Sequence, residues 1–352
     1  MSINQLLRQG YAMPILVTAN SEQWLAQVRE EIIDPEREIV DPHHHLWRKR
    51  FGKDYLLAEL QRDTDLGHKI EKTVFIECHA FYDKTAADYL QPLGETRVVE
   101  QIASESKISG GVEIAGIVAH ADLTLAGTAP DKLDELLEAH RSMGGKLFKG
   151  IRHAAASDAE PEKLTIPGMA PRSLYSQNSF RDGIRMLAEK GLTLDCWHYH
   201  HQNQSFLDLA RAVPQCTIIL DHFGTPLGVG KYRYKADEIY EQWKKDILEI
   251  SKCPNVVAKL GGLAMPDNGY IWHTQERPPT SEEFKTAQEK YYKYMIDCFG
   301  PERCMFESNF PVDRLSISYD VLWNAFKKIA ESYSETEKKS LFKGTASKIY
   351  RL

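Results

Sequence analysis

The chain has 352 residues, 42% hydrophobic and 27% charged, with a formal net charge of −6 and a pI of about 6.1. This is ordinary globular composition, long enough to bury a large core, and mild acidity without a basic run or stripe argues against nucleic acid as a partner. The longest apolar runs, such as Thr217 to Leu220 and Val256 to Leu260, are too short to span a bilayer. The N-terminus lacks a signal-peptide pattern, and six scattered cysteines without a C-x-x-C pair predict reduced thiols. The expectation is a cytoplasmic protein away from membranes, with self-association left open.

In chain order, residues 1 to 37 precede the first strand and are expected to form an extension packed outside the main body. The first strand, Glu38 to Asp41, runs into Asp41-Pro42-His43-His44-His45-Leu46-Trp47. In extended backbone, residues two apart share a side, so His43 and His45 project together and His44 faces away. Paired imidazoles suit metal binding or proton transfer. Further β-branched runs follow at Thr73 to Ile76, Glu113 to Val118, Lys146 to Ile151, Leu192 to Cys196, Thr217 to Asp221, Asn255 to Leu260 and Cys304 to Glu307. Helical patterns lie between them, at Asp131 to Met143, Ser179 to Lys190, Gln204 to Val213, Ala236 to Ser251, Ser281 to Phe299 and Tyr319 to Tyr333. Eight strands separated by helices predict an α/β fold, a single-domain (β/α)8 barrel over residues 38–352. No Gly-x-Gly-x-x-Gly follows the first strand, which disfavours a doubly wound sheet.

Barrel enzymes carry their chemistry at the C-terminal ends of the strands. The histidines gather there: His43 and His45, then His79, His120, His153, the run His198 to His201, and His222. Arg152 ends the fourth strand, where a guanidinium suits a substrate carboxylate or a salt bridge at the barrel rim. Long loops, about His153 to Asn178 and Leu263 to Ser281, read as lids. Trp47, Trp197, Tyr199 and Phe310 supply aromatic walls, and His79 joins Trp47, Tyr199 and Arg152 as a candidate substrate contact. Lys259, buried in Val-Ala-Lys-Leu-Gly-Gly, needs a carboxylate partner or a lowered pKa.

Five motifs in register, Asp41-x-His43-x-His45-Leu46-Trp47, Gly150-Ile151-Arg152-His153, His201-Gln202, Asp221-His222-x-Gly224-x-Pro226 and Ser308-Asn309-Phe310-Pro311-Val312, resemble the amidohydrolase superfamily. The branch they resemble is "amidohydrolase 2", with its pyrone-dicarboxylate and sugar lactonases. The resemblance implies a distorted (β/α)8 barrel with His43, His45, His201 and His222 at its mouth. It also implies an aspartate on strand eight, where this chain has Asn309. Asparagine cannot titrate, so it cannot serve as general base; Asp313, Glu307, Asp221, Glu77 or a strand-five histidine must take over, or the chemistry differs. His43, His45 and His201 could hold one zinc or manganese ion, but the resemblance equally admits a metal-free mechanism. The resulting expectation is hydrolysis of a lactone or related cyclic ester of a small carboxylic acid. His43, His45, His201, His222, Asn309 and Asp313 are the catalytic candidates. A metal-dependent decarboxylase of an aromatic or dienoic acid and a non-catalytic metabolite-binding barrel are the alternatives.

Overall fold

The computed structural model describes residues 21–352. Eight parallel strands pair in the order β1-β4-β5-β6-β7-β8-β9-β10: β1 Glu38–His44, β4 Lys69–Ile76, β5 Glu113–Ala119, β6 Phe148–Arg152, β7 Thr193–Cys196, β8 Ile218–Leu220, β9 Val256–Leu260 and β10 Cys304–Phe306. The ends of the sheet meet through a single bridge, His44 to Phe310, with His45 N donating to Phe310 O at 2.7 Å. Asp41 reinforces this seam, accepting from Ser308 N (2.9 Å) and from Tyr319 OH (2.9 Å). The result is the nearly closed (β/α)8 barrel that the alternation of strands and helices predicts.

Two layers of apolar residues hold it. Inside, Val40, Val74, Ile76, Val118, Ile219, Val257 and Met305 fill the barrel, and Ala346 and Tyr350 of the last helix close its floor. Outside, the other faces of the strands pack against the helices in one large core that includes Phe75, Ile117, Leu194, Ile218, Trp243, Tyr292 and Phe326. The period-two alternation of strands places charge just above the inner layer. Ile219 points inward, and so does Asp221; Val257 carries Lys259 with it, and Met305 carries Glu307. All three polar side chains are fully buried.

Two features were not anticipated. A small antiparallel hairpin, β2 Trp47–Arg50 and β3 Lys53–Tyr55, follows the first strand and brings Trp47 back over the barrel mouth. Several non-glycine residues at strand ends take left-handed backbone angles, among them His79, His222, Phe223 and Asn309. Residues 1–20 of the expected N-terminal extension lie outside the described residues. Residues 21–37 pack against the loop after β9 and the Tyr319–Ile329 helix: Trp24 Nε1 donates to Gln275 O, and Ile33 N donates to Asn324 Oδ1. Among the described residues no helix is long and apolar enough to cross a membrane, and all six cysteines are unpaired.

Candidate active site

At the C-terminal mouth of the barrel lies a cavity of about 360 Å³, lined by His45, Trp47, Glu77, His79, Arg152, Trp197, His222 and Asn309 among others. Its floor is a chain of histidines. His45 Nδ1 donates to the carbonyl of Ile76 (2.8 Å), which leaves its Nε2 as an acceptor 3.2 Å from His43 Nε2. His44 turns away, with Nε2 3.1 Å from Thr73 Oγ1. His222, from the loop after β8, donates from Nδ1 to Glu307 Oε1 at 2.7 Å and leaves Nε2 for the cavity it lines.

His43 sits at a decision point. Its Nδ1 lies 3.2 Å from Lys259 Nζ and 2.8 Å from Glu307 Oε2. If the Lys259 ammonium donates to Nδ1, His43 carries its proton on Nε2 and donates to His45. That tautomer satisfies both rings. If the proton sits on Nδ1 facing Glu307, Nε2 of His43 and Nε2 of His45 present two lone pairs to one point. A proton or cation must then lie between them. The 2.8 Å approach to Glu307 is close in distance but is not aligned as a hydrogen bond, so the geometry favours the first arrangement.

Beneath the histidines runs a fully buried ionic network. Lys259 Nζ donates to Asp195 Oδ1 (2.6 Å) and lies 3.4 Å from Asp221; Tyr350 OH donates to the same Asp195 oxygen at 2.7 Å. Burial works against the Lys259 ammonium, but Asp195, Asp221 and Glu307 outweigh it and raise its pKa. The lysine is thus a partnered cation. Burial raises Asp221 to about 6 and Glu307 to about 8, despite the opposing pull of Lys259. Burial also holds His222 down to about 3, and His43 and His45 well below their usual value, so these rings are neutral near pH 7.

Arg152 is engaged where a substrate clamp was expected. It donates from Nε to Glu77 Oε1 (2.9 Å) and from Nη2 to the Glu77 carbonyl, leaving Nη1 3.5 Å from His43 Nε2. The rim salt bridge is therefore the geometry present. Burial alone would raise Glu77, but Arg152 with His79 and His120 brings it down to about 2.

Three further candidates are placed elsewhere. His201 does not join His43 and His45: its ring nitrogens face Ser157 O (3.0 Å) and Tyr232 OH (3.1 Å), on a separate surface groove. The five-residue run Trp197 to His201 turns into a short helical turn, which carries His201 off the strand axis. Tyr199 is buried behind the cavity wall, where its hydroxyl accepts from Gly168 N (2.7 Å) and donates to Ile166 O (3.0 Å); Trp197 lines the cavity instead. Asp313 is buried and accepts from Asn309 Nδ2 (2.9 Å) and Ala264 N (3.2 Å). It thereby tethers the Asn309 amide. Glu307 is the residue that sequence reasoning under-weighted. It was named only as one possible substitute base, although its parity with Met305 points it into the barrel.

The donor set suits a divalent ion in one tautomer. His43, His222 and Glu307 offer ligand atoms within 4.8 Å of one another, and His45 adds an Nε2. With Nδ1–H of His43 toward Glu307, the carboxylate would orient two imidazoles from behind, the usual outer-shell arrangement of histidine ligands. His201 has no part in that set.

Comparisons with known proteins agree with this architecture. The "Amidohydrolase" family model matches residues 40–352. An uncharacterized protein, y4mH, from Sinorhizobium fredii is 31% identical over 89% of this chain and 98% of its own length. L-fucono-1,5-lactonase from Burkholderia multivorans is 24% identical, covering 89% of this chain and 96% of that protein. A crystal structure of an amidohydrolase from Burkholderia multivorans with bound zinc superposes with a TM-score of 0.68 at 23% identity, over 89% of this chain and 99% of that one.

Proposed function

The chain belongs to the amidohydrolase family, and from that premise and the geometry above we propose that it hydrolyses a lactone, a cyclic ester of a small hydroxy acid. The observation that carries this reading is the His222–Glu307 pair at the cavity floor, a base and its orienting carboxylate at 2.7 Å. His222 Nε2, neutral near pH 7, accepts the proton of a water in the cavity. Glu307 holds Nδ1–H and stabilises the imidazolium that forms, the logic of any base oriented by a third group. Arg152 Nη1 is the cationic donor left at the cavity wall, and it stabilises the oxyanion that develops on the attacked carbonyl. Collapse of that oxyanion breaks the ring C–O bond, and the His222 imidazolium returns its proton to the leaving alkoxide, giving the hydroxy acid. Asn309, tethered by Asp313, offers its amide oxygen to water or substrate. The non-titrating asparagine is tolerated because His222 supplies the base. Trp47 and Trp197 stack on the faces of a small ring.

A zinc or manganese ion held by His43, His45 and His222 would polarise the carbonyl and lower the pKa of a bound water, and it would occupy the His222 Nε2 lone pair that otherwise serves as base. The zinc-bound relative and the L-fucono-1,5-lactonase name support this reading of site and substrate class. With Arg152 committed to Glu77, a neutral lactone suits the cavity better than a free carboxylate to be expelled as carbon dioxide.

The test is turnover of a panel of 1,4- and 1,5-lactones of hydroxy and polyhydroxy acids, read by proton release, before and after treatment with a chelator. Saturable hydrolysis of at least one lactone is expected. Inertness toward all of them, together with metal-dependent loss of carbon dioxide from an aromatic acid, would replace the lactonase reading with the decarboxylase one.

A further inference from the structure

On the far side of Arg152 from His43, a second group of ligand atoms converges at the cavity rim. Glu77 is 1% exposed, and its Oε1 is taken by Arg152. Its other oxygen, Oε2, is buried and has no hydrogen-bond partner. A buried carboxylate oxygen without a donor is costly, so this one is a ready acceptor for a cation or a donor. His79, from the loop after β4, lies with Nε2 3.4 Å from that oxygen. His120, just past β5, faces the same point and lies 5.0 Å from His79, ring centre to ring centre. Its Nδ1 donates to the carbonyl of Arg152 at 3.0 Å, which fixes the tautomer and leaves the Nε2 lone pair free, as outer-shell bonding does for histidine ligands. The ligand atoms of Glu77, His79 and His120 all lie within 4.8 Å of one another.

We propose that Glu77 Oε2, His79 and His120 form a second divalent-cation site, of the zinc class, separate from the His43–His222–Glu307 cluster. One carboxylate and two imidazoles leave an open position, as in catalytic zinc sites. Ligands about 2.1 Å from one ion must lie within about 4 Å of each other. The His79 side chain, 54% exposed, is free to swing the remaining distance. Arg152 opposes the ion electrostatically, but it binds the other carboxylate oxygen and so does not block the ligand position. The open position faces the cavity, where an ion would accept a hydroxyl or carbonyl oxygen of whatever occupies it.

The inference does not depend on lactone hydrolysis, and its test is metal stoichiometry. Tag-free protein is stripped with a chelator, titrated with Co²⁺ alone, desalted and assayed for bound metal and for the visible spectrum of coordinated cobalt. Wild type, His79→Ala and His43→Ala are compared, with melting curves to show that each folds. The expected result is one equivalent fewer in His79→Ala than in wild type, and that equivalent retained in His43→Ala. Equal cobalt uptake by wild type and His79→Ala would overturn the proposal, as would no uptake by wild type. Zinc-soaked crystals give an independent reading: an anomalous peak between Glu77 and His120 supports the site, and its absence at full zinc occupancy elsewhere contradicts it. A protein inert toward every lactone would leave both readouts unchanged, so the two proposals fail separately.

Discussion

Asn309 shows what one residue does to a site. It lies in left-handed backbone at φ 54°, lines the cavity, and donates to Asp313 at 2.9 Å. Burial holds Asp313 well above the usual carboxylate range, although this hydrogen bond and the Ala264 amide pull it down. Changing Asn309→Asp places a second carboxylate at that distance, and two such groups cannot both ionise. They must share a proton that is lost as pH rises. The variant is expected to lose about 1–3 kcal/mol of stability at pH 9 relative to pH 6, beyond any change in wild type, with lactone turnover equal or lower. Melting curves at the two pH values check this; an identical pH response would remove Asp313 from the account. The departure at Asn309 was legible in the sequence. Asp313 was named there as an acid that could take over; that it instead accepts from Asn309 was not legible, because an i,i+4 contact across a loop depends on the backbone turn between them.

At the scale of the element, the end of β9 decides where His222 can lie. Gly262 has φ +82°, and a Cβ built on it would come 2.5 Å from His222 Nδ1 and 2.6 Å from Cγ. Gly261 similarly makes room for the Glu307 side chain. The Gly-Gly pair after Lys259 therefore opens the space in which base and carboxylate meet. Gly262→Ala is expected to push the His222 ring off Glu307. It should cost on the order of tenfold or more in turnover, and 1–3 kcal/mol or so from strain and overpacking. A variant with wild-type turnover would show that the His222 position does not matter. The β2–β3 hairpin marks the limit of pattern reading at this scale. Residues 47–55 carry no alternating apolar run, since Trp47 is followed by three exposed cations in succession, Arg48, Lys49 and Arg50. The strand signal that located the barrel was therefore absent there. His201 lies apart from His43 and His45 for a related reason: a turn after β7 rotates the side chains, and strand parity does not carry through it.

For the whole molecule, the barrel was legible because each of its strands carries a short apolar or β-branched run, bounded by polar turns and separated from the next by a helical pattern. The ionic floor was partly legible, since Lys259 demanded a carboxylate; that Asp195, Asp221 and Tyr350 gather around it follows from barrel closure, which no local pattern encodes. So many buried titratable groups make stability depend on pH in both directions. Burial holds His44, His200 and His222 to about 3, and His68, His140, His153 and His198 to about 4. Below their ordinary 6.5 the unfolded chain binds these protons and the folded one does not, so stability falls as pH drops. Glu95 and Glu307 act oppositely: burial raises each from 4.5 to about 8, so the folded state keeps protons that the unfolded chain has lost. Their contribution shrinks as pH rises from 4.5 to 8. More histidines than such carboxyls titrate on the acid side, and between pH 6.5 and about 8 the raised carboxyls dominate. The melting temperature should therefore peak near pH 6.5. A melting temperature that climbs steadily to pH 8 would contradict this balance.

The account rests on Glu307 orienting His222 over a lactone carbonyl. The most direct measurement is the pH dependence of lactone turnover for wild type and Glu307→Gln. In wild type, turnover should rise with pH through about 8, as the buried Glu307 ionises and strengthens the base it holds. Glu307→Gln keeps the shape and removes that ionisation. It should lose on the order of a hundredfold in kcat and the rising limb with it, while still folding. A variant that keeps wild-type turnover and the same limb would place the chemistry on other residues.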